Sequence, residues 1–158
     1  MAVRIGFYHL TALPLEQALP RLLDKILAAG HRVVVMTGSE ARRDDLDDLL
    51  WTWTPDSWLP HGTARDGDGD GADQPIWLTA AEDRPNQADV LVLTDGVVPA
   101  ALEGYNRCLT LFDGRDEALV AQARRQWTAW KAQGHVLTYY QQSEQGGWIE
   151  KMTVNAEG

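Results

Sequence analysis

Apolar side chains recur at Leu15, Ala18, Leu19, Leu22, Leu23, Ile26 and Leu27, the spacing of a helix with one broad apolar face. Residues 3–10 ahead of it mix β-branched and aromatic types and read as a strand. Gly30 offers a helix stop, and His31-Arg-Val-Val-Val-Met36 reads as a short buried strand. This β-α-β order predicts a parallel sheet with a crossover helix. Ser39 is placed to cap a second helix over 40–50, with Leu46, Leu49 and Leu50 inward. Strands are expected at 76–79, 90–94 and 106–112, and a short helix at 99–104. The longest helical pattern covers 115–133 and ends at Gly134; strands at 135–142 and 148–152 close the chain. No repeat or linker interrupts residues 1–152, which read as one three-layer α/β domain with a mostly parallel central sheet; residues 153–158 read as a short disordered tail.

Two segments stand apart from this pattern. Residues 49–61, with Trp51, Trp53, Pro55, Trp58, Leu59 and Pro60, are irregular and aromatic. Irregular backbone lies at surfaces, and proline stiffens it, so its rings are presented at low entropic cost. The segment reads either as a partner-docking site or as a cover over the edge of the core. On the last long helix, Leu119, Ala123 and Trp130 form the expected core stripe. Val120, Arg124, Trp127 and Lys131 follow i, i+4, i+7, i+11 spacing on a second stripe. Two cations beside a ring and a branched aliphatic suit a ligand with one carboxylate and one apolar group, or an acidic peptide. The plainer alternative is a solvated basic helix face with Trp127 partly tucked in.

Composition sharpens the choice of partner. The 158 residues carry 14 Lys plus Arg against 23 Asp plus Glu, a formal net charge of −9. A field of that sign disfavours direct nucleic-acid binding, which draws its affinity from neutralising phosphates. Part of the acid sits in Arg65-Asp-Gly-Asp-Gly-Asp-Gly-Ala-Asp73, which reads as a flexible solvated loop. The seven tryptophans exceed what a core of this size needs, so some are expected at partner surfaces. The single cysteine, Cys108, excludes an internal disulfide and suits a reducing compartment. The first ten residues do not read as a signal peptide, and no apolar run reaches a membrane span, so a cytoplasmic location is expected.

Catalytic and cofactor motifs are missing from the sequence. Neither G-x-G-x-x-G nor G-x-x-x-x-G-K-[ST] occurs, so the usual phosphate cradles are absent and no cofactor is expected. Thr37-Gly38-Ser39 could hold an anion at a helix start, though a capped helix is the simpler reading. The run Asp66 to Gly71 imitates an EF-hand opening, but Trp77 stands where the bidentate Glu belongs. His9, His31, His61 and His135 lack metal-ligand spacing, although His9 and His61 could meet in space. Cys108 lies in an apolar strand and reads as inert.

Set in order, Phe7-Tyr8, Gly30-His-Arg-Val-Val-Val35, Leu46-Asp-Asp-Leu-Leu-Trp51, Ser57-Trp-Leu-Pro-His61, Phe112-Asp-Gly-Arg-Asp116, Ala123-Arg124 with Trp127 and Lys131, and Gly134 resemble the chi subunit of the bacterial DNA polymerase III holoenzyme. The resemblance implies a Rossmann-like fold without a nucleotide site. It implies a non-catalytic accessory subunit of the clamp-loader assembly, joined to it by the psi subunit. It also implies binding of the C-terminal tail of single-stranded DNA-binding protein, which is acidic and ends in an apolar aromatic residue. By position, Val120, Arg124, Trp127 and Lys131 correspond to the tail site. Trp51 and Trp58 correspond to the psi-facing surface, which related helicases share, and the segment around them is the expected docking site. The Asp/Gly loop and the tail from Thr153 carry no such likeness. Two readings of other classes stay open: an α/β enzyme or nucleotide-binding protein using Thr37–Ser39, and a scaffold unrelated to replication.

Overall fold

The computed structural model describes residues 2–52, 59–64 and 71–155. Eight strands form one sheet: β1 (Arg4–Leu10), β2 (Val33–Met36), β3 (His61–Thr63), β4 (Ile76–Thr79), β5 (Val90–Leu93), β6 (Arg107–Asp113), β7 (Val136–Gln142) and β8 (Trp148–Val154). Three helices, α1 (Leu15–Ala28), α2 (Glu40–Thr52) and α3 (Glu117–Ala132), flank it. The strand order is β3-β4-β2-β5-β6-β1-β7-β8, parallel throughout except for the antiparallel β7–β8 pair. The chain is a three-layer α/β domain of Rossmann-like architecture.

The layering follows from the strand sequences. Val-Val-Val-Met, Ile-Trp-Leu-Thr and Val-Leu-Val-Leu are buried at every position, as strands covered on both faces must be. On β1 the side chains alternate. Tyr8 and Leu10 join a core under α1 and α2, while Ile5 and Phe7 join a second core under α3. His9 lies on the Phe7 side, because strand side chains repeat every two residues. Its register partners are Phe112 on β6 and Gln141 on β7.

The helix ends are set as the sequence indicates. Ser39 Oγ accepts from the Arg42 amide at the start of α2, and Gly30 and Gly134 take φ of 89° and 88° after α1 and α3. Asp116 caps α3, accepting from the amides of Ala118 and Leu119 at 3.0 and 3.2 Å. Cys108 is fully buried among apolar groups, and burial pushes its thiol far above the ordinary range, in keeping with an inert thiol.

Two expectations need correction, and one strand was not expected. Residues 99–104 form no helix. Their backbone is claimed by the preceding loop instead: Glu82 accepts from the Ala100 amide at 2.5 Å, and Arg84 Nη1 donates to the Gly104 carbonyl at 2.6 Å. β3 has no counterpart in the sequence reading, since three residues are too short to display an alternation. β8 runs on to Val154, with Thr153 and Val154 paired to Thr138 and Leu137, so these two residues belong to the sheet. The loop expected at 65–73 lies outside the described residues as far as 70.

Candidate functional site

Parallel strands place their carboxyl ends together, and in open α/β sheets that edge is where ligands collect. Here the carboxyl-terminal halves of β1, β6 and β7, with Met152 of β8, and the facing side of α3 line a hollow of about 380 Å³. Phe7, Phe112 and Trp127 give it an apolar floor, with Val120 and Ala123 from α3 along one wall. Phe7 meets Trp127 edge to face, ring centroids 5.1 Å apart, and Trp130 likewise at 5.9 Å. Trp127 is therefore half-buried, with part of its ring fixed against the core and part left to the hollow. Trp130 is 4% exposed and belongs to the core alone.

The rim is polar and cationic. Arg124 is exposed and makes no ion pair with any described residue. Opposite it, His9 Nδ1 and the Tyr139 hydroxyl lie 2.5 Å apart. Burial lowers the His9 pKa and the Arg124 charge lowers it further, while Asp113 acts the other way. Burial raises the Tyr139 pKa, against a smaller opposing effect of Arg124. A guanidinium thus sets the local potential over an apolar cup, the chemistry of a carboxylate joined to an apolar side chain.

Of the four residues expected on this helix face, Val120, Arg124 and Trp127 line the hollow and Lys131 does not. Lys131 is exposed in the last turn of α3, where its carbonyl accepts from the Asn155 side chain. The spacing i+11 turns a residue onto the same stripe but also carries it about 16 Å up the axis, past a hollow this small. The sequence reading missed Phe7, His9, Phe112, Tyr139 and Met152. Phe7 and His9 were open to it through the period of two on β1. Phe112, Tyr139 and Met152 depend on strand register, which a single sequence does not display.

The aromatic segment divides. Trp51, at the end of α2, is 58% exposed, its ring tilted over His61 with centroids 4.6 Å apart. Leu59 does not belong to an outward surface: it is 2% exposed and packed into the core under α1 and α2. Its aliphatic side chain reaches that core because the chain turns inward to enter β3. Pro60 is half-buried, and Trp53, Pro55 and Trp58 lie outside the described residues. His61 is buried on β3, its Nδ1–H donating to the Leu59 carbonyl at 2.6 Å and its Nε2 3.0 Å from Asp47. It does not meet His9, which lies five strands away across the sheet.

The turn Thr37–Ser39 is already occupied by its own neighbours. Thr37 Oγ1 donates to the Thr79 carbonyl at 3.1 Å, and the Gly38 amide points to Asp95 at 3.4 Å. Arg42 pairs with both Glu16 and Asp95. An incoming phosphate would face the Asp95 carboxylate, which weighs against the nucleotide-binding alternative.

Residues 2–138 match the family model described as DNA polymerase III chi subunit, HolC. The chain belongs to the chi-subunit family. A 90-residue stretch is 30% identical to the probable DNA polymerase III subunit chi of Rickettsia prowazekii (strain Madrid E), covering 57% of this chain and 53% of that protein. The chain thus spans about half the length of that curated relative. Two further relatives are DNA polymerase III subunit chi of Pseudomonas aeruginosa, 26% identical over 117 residues (74% of this chain, 79% of the relative), and of Haemophilus influenzae, 28% identical over 138 residues (85% and 94%). The chi-family match includes every residue of α3, while of the far wall of the hollow Tyr139 falls just beyond it and Met152 further on.

The ionisable groups of this chi-family chain also fix how it responds to acid. The Val3 amide donates to His135 Nδ1 at 3.0 Å, and burial lowers the His135 pKa, as it does that of His9. A histidine depressed in the native state takes up protons more readily when unfolded. Its contribution to stability is present above its unfolded pKa, about 6.5, and is lost as pH falls below that. Burial works against ionisation of Glu16 and Asp89, but their hydrogen bonds to Arg42 and His31 outweigh it; the Arg115 amide holds Asp113 down. These three lose their contribution only below about pH 4. The urea midpoint is expected to fall in two stages, one between pH 7 and 5.5 and a steeper one below 4.5. A midpoint that does not move between pH 7 and 5.5 would contradict the histidine assignment.

Proposed function

We propose that this chi-family chain is a non-catalytic accessory subunit of the polymerase III clamp-loader assembly, and that it tethers the replicase to single-stranded DNA-binding protein. The α3 hollow receives that protein's C-terminal tail. Arg124 binds the terminal carboxylate, and Val120, Phe7 and Trp127 pack the last side chain. Trp51 and its neighbours dock the psi subunit or a helicase that shares its surface. The observation that carries this reading is Arg124, an exposed cation without an ion-pair partner among the described residues, at the lip of an apolar hollow.

Charge supports the same reading. A chain of net charge −9 keeps its distance from the DNA, yet a local cation still draws an acidic peptide at short range. A short disordered tail pays an ordering cost, so one contact is weak, on the order of micromolar. Many tails on one coated strand add avidity.

Titration with the tail peptide, followed by tryptophan fluorescence, tests this. Trp127 lies in the hollow, so its emission shifts on binding. A peptide lacking the terminal aromatic residue leaves the cup unfilled and is expected to bind at least about tenfold more weakly, the loss of roughly 1.5–3 kcal/mol of apolar burial. Equal affinities for the two peptides would remove the hollow from the interaction.

A further inference from the structure

The hollow holds a second group able to meet an anion. His9 sits at the end of β1 with its ring against Phe112, centroids 5.0 Å apart, and its Nδ1 on the Tyr139 hydroxyl. The ring has room only because residue 114 is glycine: a Cβ there would fall on His9 Nε2 and lie 2.9 Å from the Leu10 carbonyl. His9 is thus seated by three strands and a glycine, facing Arg124 across the cup.

We propose that His9 is a proton-controlled anion contact of this hollow, so that an acidic tail binds together with a proton. The inference rests on the tail-binding reading above and adds its regulation. In the neutral Nε2–H tautomer of His9, Nδ1 accepts from the Tyr139 hydroxyl and the pair is closed on itself. Once protonated, Nδ1–H donates to the Tyr139 oxygen, and the phenolic proton is turned free to meet another acceptor. Protonation therefore adds a positive charge to the cup and releases a donor in the same step.

The charges around His9 set the direction of this linkage. From α3, Arg124 opposes protonation; from the end of β6, Asp113 favours it. Asp113 is already engaged, accepting from the Arg115 amide at 2.9 Å and pairing with its guanidinium at 3.2 Å. From β7 comes Tyr139, whose own ionisation is pushed further up by burial. Met152, from β8, carries no charge. In the free chain burial and the Arg124 charge both disfavour protonation of His9. A carboxylate docked on Arg124 cancels that repulsion and supplies an attraction, so occupancy raises the affinity of His9 for its proton. By reciprocity, protonation raises the affinity for the carboxylate by the same factor. Each unit of pKa change on binding corresponds to about tenfold in affinity across the titration range.

Calorimetric titration of the full chain with the tail peptide, at constant ionic strength between pH 5.5 and 8, reads this directly. Carboxylates of the peptide titrate near pH 4 and do not interfere. Affinity is expected to be about three- to tenfold tighter at pH 5.5 than at 7.5. The binding heat should vary with the buffer's ionisation enthalpy, reporting uptake of a fraction of a proton near pH 6.5. His9→Gln is expected to bind with affinity independent of pH, and Tyr139→Phe with a reduced slope. A peptide amidated at its C-terminus should bind more weakly and take up no proton. Binding by the wild-type chain with a flat pH profile, or a slope that His9→Gln retains, would overturn this inference and leave the tail reading intact. Absence of binding at every pH would overturn both.

Discussion

On the proposed function, Arg124→Ala is expected to weaken binding of the acidic tail by about 1.5–3 kcal/mol, the range for a charge-assisted hydrogen bond. That is roughly ten- to a hundredfold in Kd. The size follows from the surroundings of this arginine. It makes no ion pair with any described residue, so binding breaks none of those, and the floor beneath it is apolar, which limits screening on the protein side. Arg124→Lys should recover only part of the loss, because an ammonium lacks the planar fork that grips a carboxylate with two bonds. The measurement is the same peptide titration, with urea denaturation as the control for folding. Affinity unchanged in Arg124→Ala would take the residue out of the interaction.

Phe7→Ala is the most disruptive change expected for stability, costing about 3–5 kcal/mol. Phe7 is 2% exposed and touches both tryptophan rings of α3, so its removal leaves a cavity between the central strand and the helix that covers it. Natural domains are stable by only about 5–15 kcal/mol, so the loss is a large share of the whole. A two-state urea titration reads it as a lowered midpoint. The same substitution removes the support of Trp127, and tail affinity should fall even below the denaturation midpoint, where the chain is still folded. A loss under about 1 kcal/mol would mean that α3 is held by other contacts.

Much of this fold is written in short-range patterns. The helix over 15–28 was legible because seven apolar residues share one face, and the buried strands because their runs are apolar throughout. β3 was not, since three residues carry no period, and the turns at 99–104 depend on Glu82 and Arg84, which are distant in sequence. The candidate site was half legible for the same reason. Val120, Arg124 and Trp127 share a helix, so their grouping is local, while Phe112, Tyr139 and Met152 arrive through pairing of strands far apart in the chain. Lys131 shows the limit of a stripe, which fixes direction around the axis but says nothing about height. Leu59 shows that an aromatic, proline-rich segment can send one side chain inward while Trp51 stays outside.

The strand order carries one more consequence. Trp51 stands by β3, at one margin of the sheet, on the side of α1 and α2; the hollow opens five strands away on the side of α3. At about 4.8 Å per strand that is roughly 24 Å of hydrogen-bonded sheet. A guest at Trp51 and a guest in the hollow would therefore stand on opposite faces of the sheet, each above a different one of the two cores.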